Sequence, residues 1–229
     1  MKLCHFAILV LIIASIVFAG WVFSPATIIP PVNPIIPVNI YLVDYGLHAR
    51  LILTDERKKC LEYAYGDWRY FALNQQDWLT GAAALFVPTQ GALGRKSINC
   101  DRLELLAIQK NNSLLRMTVE KTKVERLLKV LNSYFDRPAI IPVENPHTGM
   151  ILVPYDRTYT VLHNSNHELV RWLKDLGCRV EGFVLWANFK NSDQLPVTSY
   201  QRSVTNDQRS VTSYQLPITN NQQQMTNDQ

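Results

Sequence analysis

From Leu3 to Phe23 the chain carries no charge, and only His5 and Ser15 interrupt the apolar pattern with polar side chains. The run matches the roughly 20 residues a helix needs to cross hydrocarbon, so it predicts a transmembrane anchor within residues 1–24. A cleaved signal peptide is the rival reading. "VFAG" followed by Trp21 and Phe23 suits a small-residue cleavage site poorly. Lys2 precedes the run and Asp44 is the first charge after it, so the positive-inside bias places the following domain on the non-cytoplasmic side of the membrane. Between Pro25 and Pro37 there are five prolines. Proline fixes φ and removes a donor, which predicts a stiff, extended linker over 25–37.

Period-two alternation then takes over. "VNIYLVDY" and "HARLILT" are rich in β-branched and aromatic residues and read as two strands turning at Gly46; "CLEYAYG" reads as a third, closed by Gly66. "WLTGAAALFV" reads as a short helix, and "CDRLELLAIQK" with "NSLLRMTVEK" as a hairpin turning at Asn111 and Asn112. Val124, Leu127, Leu128, Leu131 and Phe135 recur at helical spacing, so 122–135 should be an amphipathic helix. A proline-rich loop is expected from Pro138 to Pro154. A second amphipathic helix should begin near Asn166, bury Leu169, Trp172, Leu173 and Leu176, and stop at Gly177. These elements define an α+β domain over 38–190, a small antiparallel sheet packed on helices.

The last stretch, 191–229, contains a seven-residue unit repeated from Leu195 to Gln229. Each unit offers one or two apolar side chains, too few for a coiled-coil seam or a core, so the tail is expected to be disordered. Net charge is +4, from 23 basic and 19 acidic residues without a basic block, which argues against nucleic-acid binding. The four cysteines show no metal-ligand spacing; Cys60, Cys100 and Cys178 allow at most one bridge in the domain and read as small buried hydrophobes.

The candidate chemistry centres on "HNSNHE", His163 to Glu168. Ser165 should lie at the first turn of its helix, where free N–H groups and the dipole favour an anion. The commoner use of Asn164, Ser165 or Asn166 there is an N-cap. His163 and His167, spaced i, i+4, could join Glu168 or Asp156 around a metal, but the turn at Ser165 breaks the helix between them, so no metal or other cofactor is expected. Tyr63, Tyr65, Trp68, Tyr70 and Phe71 read either as a groove for sugar or lipid or as ordinary packing.

Three segments, "YGLHARLIL", "LEYAYGDWRYFAL" and "YTVLHNSNHELVRWL", resemble in order an uncharacterised bacterial family filed as domain of unknown function 2459. The same order is similar to the circularly permuted papain-like fold of PPPDE peptidases and NlpC-like hydrolases. That resemblance implies His48 as base, Glu62 as its orienting group, Ser165 in the place of the nucleophilic cysteine, and Asn164 and Asn166 as its flanking asparagines. Asn164, Asn166, Tyr65 and Trp68 would then bind the ligand. Serine in place of cysteine removes the readily formed thiolate. The expected function is therefore a membrane-anchored, hydrolase-like domain, weakened or inactive, contacting lipid through its first helix and holding an envelope peptide or acyl group. The alternatives are an active serine-variant amidase or peptidase of the cell envelope, and a structural envelope protein without ligand.

Overall fold

The computed structural model describes residues 2–22, 24–75, 87–103 and 113–192. The segment read as a short helix, most of the strand read from Cys100 to Lys110 with the turn at Asn111 and Asn112, and the repeat tail lie outside the described residues.

Two sheets carry the domain. Seven strands run antiparallel in the order β6-β2-β3-β4-β5-β8-β7: β2 (Pro37–Asp44), β3 (Ala49–Thr54), β4 (Cys60–Asp67), β5 (Thr89–Ile98), β6 (Leu114–Glu120), β7 (Val143–Asn145) and β8 (Met150–Tyr159). A smaller sheet has β1 (Ala26–Ile29) between β10 (Phe189–Asn191) and β9 (Arg179–Glu181). Ala26–Ile29, inside the stretch read as a linker, thus pairs with the end of the domain, and Ala26 and Ile28 are fully buried.

Helices α2 (Lys121–Ser133) and α3 (Ser165–Asp175) share the main core with one face of the large sheet. Period-two alternation decides which side chains meet them. Leu51 and Leu53 of β3 and Tyr63 and Tyr65 of β4 join that core, whereas Ile52, Cys60 and Ala64 pack in separate clusters. On α3, Leu169, Trp172 and Leu173 are at most 1% exposed; burying each contributes about 1.5–3 kcal/mol. Gly177, at φ 90°, ends the helix in the left-handed region as the sequence predicts.

The stretch read as a proline-rich loop contains β7 and the first half of β8. Pro154 sits in β8 without breaking it because β7 ends opposite Leu152, so no ladder donor is required of Pro154 on that side. Cys60 and Cys100 form a disulfide across the ends of β4 and β5, while Cys178 is free and buried, so only Cys178 fits the reading as a small hydrophobe.

The expected fold class needs correction. The large sheet has seven strands rather than a few, and the described residues do not support the expected transmembrane anchor. The first helix, α1, covers Lys2–Val22. Among the described residues no helix is long and apolar enough to cross a membrane. The expected lipid contact and the placement of the domain across a membrane both rested on that span, and both are withdrawn.

Candidate functional site

Helix α3 begins where Asn164 leaves helical geometry, with φ −94° and ψ −173°. Its Oδ1 accepts the N–H groups of Asn166 and His167 at 3.0 and 3.2 Å, the N-cap role open to it in the sequence. Ser165 is the first helical residue and is 4% exposed. The cap occupies two first-turn amides, so the helix offers Ser165 the field of its positive end rather than a full row of free donors.

The partner arrives from the β2–β3 turn. Gly46 adopts φ 91°, its N–H donates to Asp44 Oδ1 at 2.6 Å, and the Tyr45 N–H donates to the His48 carbonyl at 2.8 Å. His48 therefore sits in the turn, one residue before β3. Its Nδ1 lies 2.9 Å from Ser165 Oγ across 117 residues of chain. With the proton on Nε2, the serine hydroxyl is the donor. Although His48 keeps an exposed surface, the protein packed around the ring lowers its pKa below 6.5 by desolvation, with the Arg50 charge acting second in the same direction. The imidazole is thus neutral at neutral pH and can accept a proton.

The structure separates Glu62, Tyr65 and Trp68 from this pair. Glu62 lies on the sheet face turned away from α3, accepting from Tyr45 Oη at 2.8 Å and pairing with Arg50 Nη1 at 3.4 Å. Among the described residues His48 Nε2 has no hydrogen-bond partner, so the expected orienting carboxylate is missing. Tyr65 is buried in the main core with its ring 5.6–5.8 Å from those of Tyr155, Tyr159 and His163. Trp68 packs with Ala64 and Met150 in a different cluster. These two aromatics do not line one groove, and packing accounts for both.

Asn166, 1% exposed, ties the two halves of the site together. Its Oδ1 accepts the Ala49 N–H at 3.3 Å, and its Nδ2 donates to the Leu47 and Leu185 carbonyls at 3.2 Å each. Asn164 Nδ2 donates to the same Leu185 carbonyl at 3.0 Å. Sequence pattern shows the asparagines but not these backbone partners.

Glu168 enters the sequence reading only as a possible metal partner of His163 and His167; the structure gives it a different part. It is fully buried, accepts from Tyr155 Oη at 2.8 Å and from Arg171 Nε and Nη2, and lies 3.2 Å from His163 Nε2 and 3.7 Å from Arg157 Nε. His167 Nδ1 meets Asn164 Oδ1 at 2.8 Å, and Asp156 pairs with Arg137. Among the described residues no three His, Cys, Asp or Glu side chains gather to hold a metal ion.

The reading of a membrane-anchored hydrolase-like module, weakened or active, is therefore corrected, as is that of an envelope structural protein. Among the described residues no helix is a membrane span, Glu62 lies on the face away from α3, and Tyr65 and Trp68, expected to bind the ligand, sit in separate clusters. What stands is a mixed α+β domain in which one imidazole meets one buried hydroxyl. No protein-family model, curated protein or solved structure matches this chain.

Proposed function

We propose that Ser165 and His48 form a reactive dyad, in which Ser165 Oγ attacks a compact electrophilic carbon or phosphorus centre. The observation that carries this reading is the 2.9 Å contact between Oγ and an imidazole held below its ordinary pKa. As Oγ bonds to the electrophile, its proton passes to Nδ1, and the leaving group departs with its electron pair and then takes that proton. The positive end of α3 stabilises negative charge developing beside it. The order of the histidine and the Asn-Ser-Asn helix opening, which resembles permuted papain-like enzymes, supports the same pairing. A dyad lacking an orienting carboxylate implies modest reactivity.

The test is covalent labelling of the full-length chain with a small fluorophosphonate, followed by intact mass and peptide mapping. One adduct at Ser165 is expected, absent in Ser165→Ala and slowed by about 10²–10⁴ in His48→Ala. A hydrogen bond that merely pins the helix to the loop predicts no adduct, and that result, or equal labelling in His48→Ala, refutes the dyad.

A further inference from the structure

The β2–β3 turn brings His48 to α3, yet little fastens it there. Its internal bonds, Tyr45 N–H to the His48 carbonyl and Gly46 N–H to Asp44, shape the turn without joining it to the helix. Leu47 is 63% exposed, so apolar packing of that side chain does not hold the turn down. Between residues 45–49 and α3, the hydrogen bonds among the described residues are the His48–Ser165 contact and two made by Asn166. Those two reach the residues on either side of His48, the Leu47 carbonyl and the Ala49 N–H. A third Asn166 bond, to Leu185, anchors the same side chain to the chain segment before β10.

We propose that Asn166 is a positioning residue that sets the distance between His48 and Ser165 by clamping the backbone on both sides of the base. This rests on the reactive-dyad reading, and it assigns the orienting task, for which Glu62 is misplaced, to an amide acting on the peptide chain rather than on the imidazole. One amide suits the task because it supplies an acceptor for Ala49 and two donor hydrogens for two carbonyls. Asn166 neighbours Ser165 in the first turn of α3, so any shift of the helix carries nucleophile and clamp together.

Asn166→Ala and Asn166→Asp in the full chain test this. Aspartate keeps an acceptor for Ala49 but sets a carboxylate oxygen against the Leu47 and Leu185 carbonyls, and it carries the test if the alanine variant does not fold. Loss of the clamp should slow fluorophosphonate labelling of Ser165 ten- to a hundredfold, the cost of roughly an ångström of misplacement. The His48 titration, followed by NMR, should move up toward 6.5 as the turn becomes solvated, and the Ala49 amide should exchange faster. Wild-type labelling with an unmoved titration overturns the proposal and leaves the dyad standing. Slower labelling with both NMR readouts unchanged also overturns it, since Asn166 would then act on the electrophile. If the wild-type chain does not label, the dyad fails, and the titration and exchange alone decide whether Asn166 positions His48.

Discussion

Replacing Glu168 with leucine removes the only charged side chain that α3 buries completely. Tyr155, 2% exposed, loses the acceptor for its hydroxyl proton, which costs about 1–3 kcal/mol for a buried unsatisfied group. The charge-assisted bonds from Arg171 are each worth about 1.5–3 kcal/mol in general. Its side chain is 30% exposed and keeps Asp175 at 3.3 Å, so much of that is recovered when the guanidinium turns to water. Arg157 is 46% exposed and 3.7 Å away, an ion pair of little net value. Leucine returns some apolar burial. The net loss should be about 2–4 kcal/mol, at or below the 3–5 kcal/mol of truncating a fully buried ion pair. Urea unfolding followed by far-UV circular dichroism measures it, with an unchanged m-value required for the comparison. Glu168→Gln, which retains an acceptor for Tyr155, should lose less. If Glu168→Leu matches or exceeds the wild type, the carboxylate costs more to desolvate than its partners repay, and α3 is held by its apolar face alone.

Three further outcomes are expected. Converting Cys60 and Cys100 to serine releases a loop closed over 40 residues and should lower stability by about 4 kcal/mol in the chain-entropy account; a shift in urea unfolding below about 1 kcal/mol would contradict it. Gly91→Ala puts a Cβ into the Arg157 carbonyl oxygen and 2.6 Å from the Tyr65 ring, where the strands cannot easily part, so Tm should fall by the equivalent of about 1–3 kcal/mol or more; an unchanged Tm refutes the close approach. His48 and His167 both have pKa values pushed below 6.5, mainly by desolvation, with Arg50 and His163 respectively adding to the effect. The folded state then binds fewer protons than the unfolded chain, so their contribution is fully present above pH 6.5 and is lost as pH falls through the folded values. Tm should decline on that side with a shallower slope in His48→Gln, and a Tm that rises on acidification would refute the assignment.

The elements legible in the sequence are those whose composition and spacing agree. β2, β3 and β4 are short runs rich in β-branched and aromatic residues, even though β4 is buried along nearly its whole length, and α2 and α3 each present one apolar stripe. β5 and β8 were obscured by residues that ordinarily punctuate strands. Gly91 and Gly94 leave gaps in β5 because the facing strand, Tyr65 and Phe71 crowd those positions, and Pro154 is tolerated because β7 is short. β1 has only four residues between prolines, too few for a period to show, and its strand character comes from the two partners that cover it. The disulfide was equally hidden: only the β4–β5 register, which sets Cys60 opposite Ile98, brings Cys100 within reach.

The misplacement of Glu62 shows how far strand parity can be carried into a turn. Alternation extended backwards along β3 from Ile52 and Arg50 puts His48 on the same face as Glu62, which agrees with the order of segments that suggested the pair. Pairing of Ile52 with Glu62 keeps the carboxylate on that face, where Arg50 and Tyr45 take it up. His48, however, precedes the first strand residue, and the positive φ of Gly46 frees the chain there from the pleat. Its ring goes instead to α3, on the other face, where Asn166 grips the peptides around it. A base held this way depends on the conformation of one turn and not on a carboxylate. It follows that Glu62→Gln should leave labelling of Ser165 within about twofold of wild type, as expected for a change remote from the chemistry, whereas Gly46→Val, which strains the turn, should slow it at least tenfold. Equal effects of the two substitutions would mean that the face assignment of His48 is wrong.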